Sequence, residues 1–323
     1  MKDFAHVNAT SFDEAAALLA KDNAAVIAGG TDIIYSMKGM NTPNLPDTLV
    51  NIKTIANADY IKEEGGFIKI GALAKLAAIA KSSVVKSKAT ALAEAAELVA
   101  SPELRNMGTI GGNICQKPRC IYYRNEFNCF PCARKVKGGT CYAITGVHRY
   151  HSIFGGVGGC MAVCPSDTAV ALVALKAKIV TTKKTWEAAD FFKVPSKEFG
   201  TAKGEQINAI DADEIVKEIQ IPVTSAKSTY RKWAFRKAID FPQVSCAVVK
   251  DGNSAEIALG GVYNEPKAFS GVSTSDAAKA GEDCLAKATG MNTPRADGQA
   301  DRYSNTYKIQ IAKVMIKRAI QSL

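Results

Sequence analysis

The sequence predicts an α+β protein in two parts: an α/β unit over 1–224 and a smaller unit of sheet plus helices over 225–323. Three observations carry that expectation. At 323 residues the chain is longer than one compact core usually needs. Helical and strand-like patterns alternate through the first two-thirds, punctuated by glycine turns. Beyond Ser225 the pattern changes to consecutive alternating strands, then amphipathic helices.

The elements follow in order. Ser11-Phe-Asp-Glu14 reads as a capping box for a helix reaching Ala20. The apolar run Ala24–Ala28 then enters Gly29-Gly30-Thr31-Asp32, which makes the start βαβ-like. Short strands are expected at Leu49–Ile52 and Ile68–Ile70, and helices at Leu73–Ala80 and Ala89–Val99. A second glycine turn spans Gly108–Asn113. Glycine and cysteine crowd the stretch to Cys164, which reads as a loop wrapped around something. A small-residue helix over Asp167–Ala177 precedes strands at Lys178–Thr182 and Glu214–Pro222. The last part holds strands at Ser245–Val249 and Ala255–Leu259, a helix over Asp276–Ala288 and another over Tyr303–Ile320.

Composition narrows the function classes. Apolar residues make up 47% and charged residues 22%, ordinary for a globular chain, and no apolar run reaches membrane-span length. Met1–Thr10 lacks a basic region followed by an apolar core, so a cytoplasmic location is expected. The net charge of +10 reads as spread along the chain, densest at Lys176, Lys178, Lys183 and Lys184. There is no nucleic-acid signature; an acidic partner or a solvated surface explains the surplus better.

Two features carry chemistry. Glycines directly after a strand let backbone amides approach a pyrophosphate, and Thr31 adds a hydroxyl. The bland alternative is a tight turn, and neither turn is the G-x-G-x-x-G fingerprint. Seven of the nine cysteines fall between Cys115 and Cys164, which in a chain without a secretory signal argues for metal over disulfides. A zinc site using Cys129 and Cys132 with His148 or His151 is an open alternative. No triad or paired-carboxylate motif stands out, so no catalytic residue is assigned.

Ile27-Ala28-Gly29-Gly30-Thr31-Asp32 and Gly108-Thr109-Ile-Gly-Gly112-Asn113 resemble the two pyrophosphate segments of flavoprotein subunits in the xanthine dehydrogenase and carbon monoxide dehydrogenase family. Pro165-Ser-Asp167 resembles that family's ribityl-contacting segment, and Lys232-x3-Arg236-x3-Asp240 its lysine motif at the flavin pyrimidine. The resemblance implies FAD held by residues 27–32, Thr109, Gly112, Asn113, Asp167 and Lys232. It implies a two-subdomain FAD-binding fold of the vanillyl-alcohol-oxidase type (about 1–57 and 58–224), then the C-terminal domain. An alternating strand from Tyr230 would set Lys232, Ala234 and Arg236 on one face.

An insertion at about 116–164 resembles the subset with an extra [4Fe–4S] cluster, as in 4-hydroxybenzoyl-CoA reductases and bacterial aldehyde oxidoreductases. That resemblance selects Cys120, Cys132, Cys141 and Cys160 as ligands, with Cys129 competing with Cys132. Cys115 reads as buried packing. The function implied is an electron-transfer subunit of an oxidoreductase. Its partners would be a large molybdenum-cofactor subunit, a small subunit with [2Fe–2S] clusters, and an external carrier such as ferredoxin or NAD. A stand-alone FAD enzyme and a zinc-stabilised scaffold are the competing readings.

Overall fold

The computed structural model describes residues 1–21, 23–292 and 301–323. Its first unit is a parallel sheet of three short strands, β1 (Ala5–Asn8), β2 (Ala24–Ile27) and β3 (Thr48–Asn51), in the order β1-β3-β2. Helix α1 (Phe12–Leu19) crosses between the first two and buries Ala15 and Leu19 against Val50 and Ile52. Ser11 accepts from the Glu14 amide at 3.1 Å, but Glu14 reaches back to Thr10 N–H, one residue beyond the expected capping box. Helix α2 (Ile33–Gly39) follows the first glycine turn.

The second unit is a five-stranded antiparallel sheet in the order β4-β5-β8-β6-β7. Its first two strands are β4 (Ile61–Glu64) and β5 (Phe67–Gly71). Short helices come next: α3 (Leu76–Lys81), α4 (Ser83–Lys88), α5 (Thr90–Glu97), α6 (Pro102–Met107) and α7 (Ile110–Ile114). Helix α3 starts at Leu76, later than the Leu73 that the sequence suggests, because Ala72, Leu73 and Ala74 give their amides to Lys217, Ala58 and Gly71. Helix α8 (Asp167–Ala174) is buried along its whole length. It ends sooner than Ala177, where Lys176 turns left-handed (φ 50°) and leads into β6 (Lys178–Thr181). Strand β7 (Thr185–Glu187), helix α9 (Ala188–Phe191) and strand β8 (Val216–Pro222) complete the unit.

Four antiparallel strands form the last sheet: β9 (Lys227–Trp233), β10 (Val244–Asp251), β11 (Ser254–Gly260) and β12 (Lys267–Ser273). The two-residue strand period splits its faces cleanly. Tyr230, Ala247 and Ala258 face the core shared with α5 and α8. Cys246, Val248, Ile257 and Leu259 face helices α10 (Ala277–Leu285) and α11 (Tyr307–Gln321). The first face is small because α8 approaches closely: a Cβ on Gly260 would lie 2.5 Å from Val170. Strand β9 stops at Trp233, so Ala234 and Arg236 do not continue the Lys232 face as expected. Asp240 accepts from the Arg236 amide and closes a turn there instead. No described helix is long and apolar enough to cross a membrane.

Candidate cofactor sites

The two glycine turns meet along one side of a cavity of about 470 Å³. Gly29, Gly30, Thr31 and Asp32 line it from the first turn, and Thr109, Gly112 and Asn113 from the second, with Asp167. The two turns do different things. Gly30 sits at φ 72°, where a side chain is strained, while a Cβ on Gly29 would strike the Met107 carbonyl oxygen at 2.2 Å. Among the described residues, the amides of Gly30, Thr31 and Asp32 donate to no protein acceptor. In the second turn the amides of Ile110 and Gly111 bond to Ala74 and Ala72, and that of Gly112 to the Thr109 hydroxyl. The first turn therefore offers free donors, and the second offers a bare surface.

Asn113 fastens the second turn to the next segment, accepting from Ser166 at 2.6 Å and Thr168 at 2.7 Å. Ser166 is also the N-cap of α8, which fixes Asp167 at the cavity wall. Asp167 is buried with Lys232 Nζ at 2.9 Å and the Tyr230 hydroxyl on its other oxygen. Burial pushes the Asp167 carboxyl up, with the Lys232 ammonium pulling it down less strongly. Lys232 also donates to the Leu98 carbonyl at 2.9 Å.

A second, smaller cavity lies inside the cysteine-rich insertion. Cys120, Cys132, Cys141 and Cys160 line it together, with Tyr122, Tyr123, Arg134 and Tyr142. Four cysteines far apart in sequence thus converge on one closed space. Their sulfurs face donors: Cys120 meets the Tyr122 and Tyr123 amides, Cys132 those of Arg134 and Lys135, and Cys141 those of Met161 and Ala143. Cys160 Sγ accepts from Arg134 Nε at 3.2 Å. Burial pushes the Cys120 thiol up to about 12 and raises Cys132 and Cys141 as well. Cys129 is exposed and outside this cavity; Cys164 is buried in the main core. Cys115 lines the larger cavity.

A family profile for the "FAD binding domain in molybdopterin dehydrogenase" matches residues 2–224. The chain belongs to that family. It is 30% identical over 251 residues to the aldehyde oxidoreductase FAD-binding subunit PaoB of Escherichia coli K12, covering 74% of this chain and 75% of that one. It is 25% identical to the carbon monoxide dehydrogenase medium chain of Afipia carboxidovorans, covering 96% and 93%. A structure of Cu,Mo-CO dehydrogenase superposes with a TM-score of 0.69 at 24% identity, covering 99% of this chain and 97% of its counterpart; it shares the fold. The molybdopterin dehydrogenase flavoproteins are oxidoreductase subunits that bind FAD, and this chain is one of them.

Within this flavoprotein, Ala28–Asp32, Thr109, Gly112, Asn113 and Asp167 all line the large cavity, whereas Ile27 and Lys232 do not. Lys232 reaches it only through Asp167. Asp32 holds the insertion: its carboxylate accepts from Arg124 and the Lys117 amide, with Arg119 at 2.8 Å. Burial raises the Asp32 carboxyl, but Arg124 and Arg119 outweigh it and hold it below the usual range. Gln116, Lys117, Arg119 and the Ile239–Phe241 turn also wall the cavity, and no sequence motif marks them. One stretch of chain therefore walls both cavities, on one side through Arg119 and on the other from Cys120.

One expectation about the insertion needs correction, and two of its features carried no sequence signal. The basic surplus is concentrated: 116–164 carries seven Lys or Arg against one acid, Glu126, more than half the net charge. His148 and His151 are buried. His148 Nε2 meets Asp301 at 2.7 Å, and His151 Nε2 meets Cys120 Sγ at 3.1 Å. Burial pushes His151 down to about 3. The insertion is also bound into the C-terminal domain: Ile153 enters its core, Asn305 donates to His151 and Ser152, and Asn264 donates to the Cys160 carbonyl.

Proposed function

We propose that the large cavity holds FAD and that Cys120, Cys132, Cys141 and Cys160 hold a [4Fe–4S] cluster. The chain then serves as the electron-carrying flavin subunit of a molybdenum-containing oxidoreductase. The observation carrying this reading is the convergence of four cysteines on one cavity that shares a chain segment with the flavin cavity. When bound, FAD supplies two-electron and one-electron exchange, and the cluster supplies single-electron transfer.

The protein's own residues support both groups. The free amides of Gly30–Asp32 suit a pyrophosphate, and bare Gly112 leaves room for its approach. Lys232, held by Asp167, places a fixed cation behind the cavity wall, where negative charge on a reduced ring is favoured. In the second cavity, backbone amides and Arg134 stand ready to donate to thiolates. Among the described residues, no three His, Cys, Asp or Glu side chains come close enough to share a single metal ion. Zinc and an iron–sulfur cluster both draw on thiolates, and the metal content of the purified chain separates the two.

The relatives' names suggest the assembly. "Medium chain" of carbon monoxide dehydrogenase and "FAD-binding subunit" of aldehyde oxidoreductase both denote one chain among several. By that analogy, a large molybdenum-cofactor subunit carries the substrate chemistry, a small subunit carries [2Fe–2S] clusters, and an external carrier such as ferredoxin or NAD meets this chain. An aldehyde- or xanthine-dehydrogenase-like complex and a 4-hydroxybenzoyl-CoA reductase-like one both fit. The test is anaerobic purification with iron and acid-labile sulfide measured per chain. About four of each are expected. Cys120→Ser or Cys141→Ser should lose them while keeping flavin, and Cys164→Ser should change little. Stoichiometric zinc without iron overturns the cluster.

A further inference from the structure

We propose that Lys135, seconded by Arg134, compensates the negative charge of the cluster and sets its reduction potential; this rests on the cluster assignment above. Lys135 is 1% exposed, and its ammonium donates to no acceptor among the described residues. A buried cation without a partner costs several kcal/mol, and a lysine stem is long enough to carry its head to water when nothing holds it inside. Something must offset that cost.

The neighbours narrow what it is. The ammonium lies 5.2 Å from the centre of the Tyr123 ring, a weak attraction. Glu205 is the nearby carboxylate, but it is already engaged by Lys117, the Tyr123 hydroxyl, Asn44 and Thr42. Burial lowers the Lys135 ammonium and Arg124 repels it; the remaining groups that attract its charge are Cys132 and Cys120, when ionised. Arg134, the preceding residue, lines the cysteine cavity itself, with Nε on Cys160 Sγ and Nη1 on the Gln206 and Gly204 carbonyls. Lys135 stands behind that wall: its amide donates to the Cys132 carbonyl at 2.8 Å, and its ammonium lies over Tyr123, which lines the cavity.

Four thiolates outweigh the positive charge of an iron–sulfide core, so the assembled cluster is anionic and one-electron reduction makes it more so. A cation fixed in a low-dielectric interior favours the reduced state. Arg134 is held by three acceptors and anchors geometry; Lys135 has none and contributes charge. Removing Lys135 charge should therefore lower the potential without emptying the site.

The experiment is an anaerobic redox titration of the full complex, following the cluster by electron paramagnetic resonance, for the parent, Lys135→Met and Lys135→Arg. Lys135→Met should keep iron, sulfide and flavin. Its electron-sharing equilibrium between flavin and cluster should shift at least tenfold toward flavin, about 59 mV for one electron. Lys135→Arg should stay near the parent. In cluster-free chain, Lys135→Met should melt at a higher temperature than the parent, since an unpaired ammonium is gone. If Lys135→Met sheds iron while Lys135→Arg keeps it at parental potential, charge is still the property needed. An unchanged potential in an intact Lys135→Met cluster overturns the proposal, and so does loss of iron from both variants. A parent with full flavin and no iron removes the cluster assignment, and this proposal with it.

Discussion

At the scale of single residues, neighbouring glycines that look alike have separable roles. Gly29 allows the first turn to rest against the Met107–Gly108 backbone, so Gly29→Ala should cost about 1–3 kcal/mol in thermal unfolding by overpacking. Gly112 is exposed at the cavity, and an added Cβ there meets only the Thr109 hydroxyl, at 3.1 Å. Gly112→Val should keep the fold and lower flavin absorbance per chain. Full flavin in a folded Gly112→Val protein would argue against the second turn as part of the site. Both turns were legible in sequence as paired glycines, the first of them directly after the apolar run Ala24–Ala28. Which glycine served packing and which served the cavity was not legible, since that depends on Met107, distant in sequence. Lys308 was equally invisible. It is fully buried in α11, donating to the His151 and Gly261 carbonyls, and burial pushes it down to about 7. Between that value and the ordinary lysine value the unfolded chain binds more protons, so stability should rise with pH across this window. Lys308→Met should flatten a slope of at most about 1.4 kcal/mol per pH unit in denaturant titrations.

At the scale of elements, the tie between the first glycine turn and the insertion matters most. Asp32 gathers Arg119, Arg124 and the Lys117 amide around one carboxylate. Its carboxyl titrates lower in the folded chain than in the unfolded one, so its contribution is present above the unfolded value near 4 and is lost as pH falls through the folded value. Asp32→Asn should cost about 1–2 kcal/mol, given its partial exposure, and should open 117–124 to proteases at neutral pH. An unchanged cleavage pattern would mean the ion pairs hold nothing. Sequence reading named Asp32 as a cofactor contact; it stands on the cavity wall with its carboxylate turned to the insertion's arginines. The pairing with arginines some ninety positions away carried no local signal. Helix α11 and strands β10 and β11 were legible from their periodicity and α8 from its run of small residues, whereas β12 (Lys267–Ser273) was not read. Helices α2, α4 and α6 have seven residues or fewer, too short for a 3.6-residue period to register.

At the scale of the whole molecule, the insertion joins parts that sequence order separates. Asp32 and Glu205 hold it to the first domain, while Asn264, Asn305 and Lys308 hold it to the last. A ligand bound inside it should therefore stabilise both domains together. Calorimetry of the iron-loaded chain should show one cooperative transition at a higher temperature, and removal of iron should lower and broaden it. An iron-free sample with the same melting profile would show that the insertion folds independently of its contents. The wall that Arg119 and Cys120 share has another consequence. The insertion is not a detachable cassette. Excising 116–164 would take Gln116, Lys117 and Arg119 out of the large cavity, and grafting the segment elsewhere would carry that wall along with it. Lengthening or shortening this loop rebuilds the larger chamber at the same time.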